Sequence, residues 1–318
     1  MEWRSVVSLV FFATFSWGAT QQPLEIPPGV QHGLQQVRSG RYQEALETSR
    51  SLKKSLPDHP LPDLVAAEAY WGLLFCETGH ITAREVWHVA DRKTSSYDKP
   101  FLEAVEKALA ASERLRGAPE RAARGALYSG LARGVRARLY TLREAKLQSA
   151  SEGKQMRADL LEAVEQDEQL APDASLGLGA YNYYADVLSP LLKVFRFFMG
   201  IPGGDRERGL EQLQIAAQQA RLAGPEAQFE LARIYGIREN RHPEALRLLE
   251  QLGEQYPGNA LYVLAAAYQA EKTGRKLLAL EYLQKALHAA ETMDAVCRER
   301  LHNAAQGALN RLKEEPSR

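Results

Sequence analysis

The sequence predicts an all-α protein, an α-solenoid of stacked antiparallel helix pairs. Three observations carry this. Strand signals are nearly absent, and runs rich in Ala, Leu, Glu, Gln and Arg, with apolar residues three and four apart, dominate from 30 to 313; that spacing puts the apolar side chains on one helix face. Pro and Gly break these runs at short intervals, which suits many short helices rather than a few long ones. The pattern also recurs at a fixed offset near the C-terminus, where Asn240 maps to Gly274, Ala245 to Ala279, Leu249 to Leu283 and Leu252 to Ala286. Self-similarity at one offset is the mark of a repeat array.

Residues 1–18 read as a secretory signal peptide. Met1-Glu2-Trp3-Arg4 forms a short positive start. An apolar run from Val6 to Trp17 follows, broken by Ser8, Thr14 and Ser16. The run is too short to span a bilayer core of roughly 30 Å, and small residues suited to cleavage close it. Cleavage is expected after Gly18, with Ala19 as second choice and an uncleaved anchor as the alternative. Residues 19–28 are an extended linker. The repeat array is expected over 29–291, with its clearest repeats at 29–61, 225–258 and 259–291.

Within the first repeat Gly33, Ala45 and Pro57 are spaced alike, and Gly40-Arg41-Tyr42 marks a turn. Residues 62–78 and 81–92 read as a pair, 100–116 as a further helix, and 118–142 and 144–170 as two longer helices. The first of these two is full of Gly and Ala, which implies that neighbouring backbones approach it on all sides. Residues 292–313 are expected to form a capping helix with a more polar outer face.

The landmarks that recur are a turn residue, a small residue where two helices cross, and a closing proline. By them the chain resembles the tetratricopeptide-repeat superfamily. It departs from that pattern in lacking the first-helix Trp and in placing Ser49 where a large apolar residue is usual. A second resemblance rests on Leu176-Gly177-Leu178-Gly179-Ala180-Tyr181-Asn182-Tyr183-Tyr184, then Leu188-Ser189-Pro190, then Gly204-Asp205-Arg206 ahead of Gly209-Leu210. This segment, 176–213, is similar to the tetratricopeptide-repeat-39 and inclusion-body-clearance family. The resemblance implies a non-enzymatic helical protein in which the segment is a fixed structural element.

The formal net charge is zero, with 45% apolar and 25% charged residues. This fits a folded chain and argues against nucleic acid as a partner, since neutralising phosphates needs a basic excess. Cys76 and Cys297 are the two cysteines, too few for a disulfide scaffold. They read as two buried free thiols, with a single bridge across the array as the alternative. Residues 114–143 hold eight Arg against Glu120, and 152–168 hold six acidic residues against Lys154 and Arg157. Pairing between adjacent helices is expected to answer this imbalance.

No metal site and no cofactor are expected. His80 and His88 are two helix turns apart, about 12 Å by helix rise, and no metalloprotease or nucleophile motif occurs. Ile201-Pro202-Gly203-Gly204-Asp205 lacks the Gly-Lys-Ser/Thr of a phosphate loop and reads as a turn with Asp205 as helix N-cap. The repeat register points Arg233, Tyr268 and Lys272 toward the concave side. Asn182, Tyr184 and Asp186 join them as candidate partner contacts, although a hydrogen-bond network between two helix layers would use that helix as well. Leu191, Phe195 and Phe198 lie in the most apolar stretch after residue 18, 191–199; they read as a buried helix or as a membrane contact.

The function expected is an exported scaffold, periplasmic or secreted, that binds a protein or peptide. The alternative is a peripheral membrane or lipid-associated protein using 191–199. A cell-wall hydrolase is the remote third. The chain is not expected to be an enzyme.

Overall fold

The computed structural model describes residues 24–79, 81, 93–188 and 200–314. Among these there are thirteen α-helices and no strand. They are α1 (Pro28–Arg38), α2 (Tyr42–Ser55), α3 (Pro60–Thr78), α4 (Asp98–Arg116), α5 (Ala122–Leu142), α6 (Lys146–Gln166) and α7 (Ala171–Asp186). Then come α8 (Arg206–Gln219), α9 (Gly224–Ile237), α10 (His242–Gln255), α11 (Ala260–Lys272), α12 (Lys276–Glu291) and α13 (Ala295–Glu314). Short 3-10 turns precede α5 and α7.

One turn recurs between paired helices. Gly40 joins α1 to α2 and Gly274 joins α11 to α12, both with φ near +75° (+75° and +74°). Asn240 (φ 53°) does the same between α9 and α10, and Glu144 (φ 56°) between α5 and α6. The left-handed region suits Gly, and Asn tolerates it. Glu144 does not belong there by preference, yet the helical runs 118–142 and 144–170 still mark the break. The next residue's amide reaches back to the preceding helix at three of these turns in the same way: Arg41 to the Gln36 carbonyl, Ala145 to Tyr140 and Arg275 to Ala270. These bonds satisfy carbonyls left open by the ending helix.

Helix starts follow capping chemistry. Asp205 accepts from the Arg208 amide and Asn259 from the Leu261 amide. The His59 ring accepts from the Leu61 amide at the start of α3.

Consecutive helices pack as antiparallel pairs, and successive first helices also touch, α1 on α3, α3 on α5, α5 on α7 and α7 on α9. Helix α5 meets α3, α4, α6 and α7, which accounts for its small residues. At α7–α8 the backbones approach closely: a Cβ on Gly209 would stand 2.6 Å from the Tyr183 backbone nitrogen and 2.8 Å from the Gly179 carbonyl oxygen. The Arg-rich stretch is answered in part by α6 and in part by acids on other elements, as Arg143 with Asp98 (2.6 Å) shows. Arg116 bonds Asp159 (2.9 Å) and Glu162 (2.5 Å), Arg133 bonds Asp159 (2.8 Å), and Arg136 bonds Glu152 (2.8 Å).

The array closes on itself. Arg38, at the end of α1, makes a two-toothed pair with Glu226 of α9, both contacts at 2.9 Å, and donates to the Leu222 carbonyl. Asn259 donates to the Arg38 carbonyl (2.9 Å) and Arg221 to the Leu24 carbonyl (2.8 Å). Asp294, just before α13, accepts from the amides of Tyr42 (2.7 Å) and Gln43 (3.1 Å), so it caps α2 from 252 residues away. Arg300 of α13 donates to the carbonyls of Cys76, Glu77 and Gly79 at the end of α3. The last helix therefore joins the array to its own beginning, where the sequence suggested a simple end cap.

The cysteines correct the free-thiol reading. Cys76 of α3 and Cys297 of α13 form a disulfide with Cα atoms 4.8 Å apart. Spacing in sequence carries no trace of this, because only the closure of the array brings α13 beside α3.

Candidate functional site

The adjoining first helices α3, α5, α7 and α9 carry a row of aromatic and charged side chains that is enclosed yet reaches solvent. In α3, Glu68 and Trp71 stand one turn apart. Arg138 of α5 bonds the Glu68 carboxylate and lies over the Trp71 ring, 5.2 Å from its centroid. In α9, Arg233 donates to Glu230 at 2.7 and 3.0 Å and to the Tyr184 hydroxyl of α7 at 2.5 Å. Tyr184 in turn donates to Glu230 at 2.7 Å, and Arg233 sits 5.4 Å from its ring centre.

The two clusters lie near enough for the charge of Arg138 to favour the Glu230 carboxylate. Burial raises the Glu230 carboxyl, but Arg233, the bond from Tyr184 and the more distant Arg138 outweigh it, so Glu230 stays below the ordinary carboxylate range. Burial likewise works against charge on Arg233, and Glu230 more than offsets it, keeping the guanidinium firmly protonated. Burial, reinforced by Glu230, pushes the Tyr184 phenol well up, so it stays protonated as a donor. The Arg233 and Glu230 side chains remain 32% and 20% exposed, and those of Arg138 and Glu68 37% and 18%. The row is thus charge-balanced, ordered by its own bonds and open to a second molecule. Cation–aromatic contacts of this kind contribute about 0.5–2 kcal/mol each.

Of the residues singled out from sequence, Tyr184 and Arg233 meet in this row. Arg233 is also tied into the fold, because an inward-facing cation finds Glu230 one turn before it and a phenol on the next first helix, and its side chain stays partly exposed. Tyr268 and Lys272 form a separate pair on α11, with the ammonium 5.4 Å from the ring centre. No hydrogen bond, ion pair or ring contact among the described residues joins that pair to Tyr184 and Arg233.

Asn182 faces α8, where it donates to Gln212 (2.7 Å). Asp186 stands near the approach of Gly204, whose Cβ would fall 2.7 Å from the Asp186 amide nitrogen. Tyr181 donates to the Pro202 carbonyl (2.8 Å) and Tyr183 to Glu239 (2.6 Å). This helix accordingly works mainly as a hydrogen-bond network between layers, with Tyr184 turned the other way. Leu191, Phe195 and Phe198 lie outside the described residues, as do His80 and His88.

Glu68, Trp71, Arg138 and Glu230 were not picked out from the sequence. A signal existed for two of them. Glu68 is a lone charge inside the apolar run Val65-Ala66-Ala67-Glu68-Ala69-Tyr70-Trp71, and Arg138 is one of the α5 arginines that α6 does not answer.

Among the described residues no group of His, Cys, Asp and Glu is arranged to hold a metal, and no helix is long and apolar enough to cross a membrane. No curated protein matches the chain. The family model described as Iml2/Tetratricopeptide repeat protein 39 matches residues 79–307.

Proposed function

The chain belongs to the Iml2/Tetratricopeptide repeat protein 39 family, and from that premise we propose that it is an exported, non-catalytic scaffold binding a protein or peptide in the cell envelope. The family supports a helical repeat scaffold of a kind that generally mediates protein interactions. The observation that carries the binding reading is the row Glu68–Arg138–Trp71 and Tyr184–Arg233–Glu230. Aromatic and Arg side chains held in place by neighbours lose little entropy on binding and dominate interface energetics. Because the row is charge-balanced, it favours a partner segment of mixed polarity over a polyanion. Tyr268 and Lys272 on α11 remain a second, separate candidate contact.

Export is supported by the signal-like residues 1–18 and by the Cys76–Cys297 bridge, which suits an oxidising compartment such as the periplasm or the exterior. The test is a crosslinking pull-down of the C-terminally tagged protein from its native envelope fraction. A specific partner is expected, and its yield should fall about tenfold on Trp71→Ala, as for loss of one hot-spot side chain. A partner recovered equally by Trp71→Ala and by the double variant Tyr268→Ala/Lys272→Ala would place binding elsewhere. The second reading, peripheral membrane contact through Leu191, Phe195 and Phe198, rests on their apolar run. Flotation with lipid vesicles that is lost on Phe195→Ser/Phe198→Ser would favour it over the scaffold reading.

A further inference from the structure

We infer that the Cys76–Cys297 bond is a closure lock: an oxidant reaches one cysteine while α13 is undocked, the bond closes as α13 seats on α3, and it is shielded from then on. Cys76 and Cys297 are both wholly buried. Neither a thiol oxidant nor a reductant reaches sulfur atoms in that position, so the oxidant's attack needs the seam open and the closing step needs it to shut. The seam is built to hold once joined. One turn beyond Cys297, Arg300 grips three carbonyls at the end of α3, and three residues before it Asp294 caps α2. The covalent link and these polar grips lie on a single stretch of chain, so α13 docks or releases as one unit.

The chemistry is thiol–disulfide exchange with a disulfide-bearing oxidant. One cysteine thiolate attacks the oxidant's S–S bond, giving a mixed disulfide and releasing one oxidant thiol. The second cysteine thiolate then displaces the other oxidant thiol and forms the Cys76–Cys297 bond. Two protein thiols are oxidised by two electrons and the oxidant disulfide is reduced to two thiols, which carry the two protons. A segment 221 residues from its partner meets it only when the whole array has coiled, so the bond reports completed folding.

The test uses the full-length protein from an oxidising compartment. Under native conditions, tris(2-carboxyethyl)phosphine with iodoacetamide should leave both cysteines unlabelled over a period that labels them fully in urea. Labelling equally fast in both conditions would overturn the shielding. Amide exchange is then compared between the bridged chain and Cys76→Ser/Cys297→Ser. The variant should exchange about tenfold faster in α13 and at Tyr42 and Gln43, with α5–α8 unchanged, as local opening of one cooperative unit requires. A uniform rise across all helices, or no change, would overturn the unit-release claim. If the double variant does not fold, wild-type chain refolded under reductant replaces it; failure of that chain to fold would show the bond to be a requirement of the whole fold, which also overturns the lock.

Discussion

The C-terminal pairs α9–α12 and the closing seam, where α1, α2 and α3 meet α9 and α13, are held by opposite means. In the pairs, equivalent positions carry the same burden. Ala245 and Ala279 sit at the helix crossings, and Leu249 and Leu283 fill the core behind them, all essentially inaccessible. At the seam each contact occurs once: the Arg38–Glu226 pair, the Asp294 cap, the Arg300 grip and the disulfide. Repeated packing needs only small residues in register, because each unit meets only its neighbours. Closure joins surfaces that differ in sequence, and it uses directional polar contacts that fix one geometry. Stability in the pairs is therefore distributed, while at the seam it is concentrated.

This contrast can be broken or sharpened by substitution. The largest loss is expected for Arg38→Met, which strands the Glu226 carboxylate and the Leu222 carbonyl; breaking one side of such a buried pair costs about 3–5 kcal/mol, read by urea denaturation. Leu249→Ala and Leu283→Ala should each cost about 2–5 kcal/mol through the cavities they leave, and by repeat equivalence the two values should agree closely. A large inequality would mean that closure, not the local unit, sets stability in the repeats. Gly209→Ala should cost about 1–3 kcal/mol by overpacking against backbone atoms of α7 that cannot turn aside.

A gain is expected at the irregular turn. Glu144→Gly should stabilise by about 1 kcal/mol by relieving the left-handed strain, seen as a higher midpoint temperature, whereas a loss would show that the Glu144 side chain's contacts outweigh it. The smallest effect concerns pH and runs in opposite directions in the two regions. The bond from Arg206, with that from Tyr183, holds the Glu239 carboxyl below its usual range against the pull of burial. The stability it supplies is present above the unfolded value and lost as pH falls through the folded one.

Asp294 is raised, chiefly by burial, against the lowering effect of its two amide donors. Between its unfolded and folded values the native state holds the extra proton, so stability there falls as pH rises. Lowering pH through the carboxylate range should thus raise the protection factors of the Tyr42 and Gln43 amides, and lower those where α7 meets α8 and α9, once the intrinsic slowing of exchange with falling pH is divided out. Loss of the first response in Asp294→Asn, with the second unchanged, would confirm the assignment.

What was legible follows the same division. Helix periodicity, the recurring crossings and the Asp205 cap are local, so they leave a pattern in the sequence. The α5–α6 arginine and carboxylate pairing was legible too, since adjacent helices must reconcile opposite charge. The disulfide, the Arg38–Glu226 pair and the Asp294 cap were not, because each joins residues whose proximity depends on how many repeats accumulate their rotation between them. The candidate site lay between these cases. Tyr184 and Arg233 were named, but the acidic partner one turn from Arg233 and the α3–α5 half of the row were missed. Reading helix α3 for isolated charges in an apolar run, rather than reading repeats alone, would have found Glu68.

Closure also constrains how such a protein can change over generations. An open solenoid tolerates the gain or loss of a repeat, because the next unit docks wherever the last one ends. Here an added pair between α9 and α12 would carry α13 past the end of α3, separating Cys297 from Cys76 and Asp294 from the α2 amides at once. Duplication within the array, the usual route by which repeat proteins lengthen, is therefore closed to this chain, and variation must come through substitution and loop length.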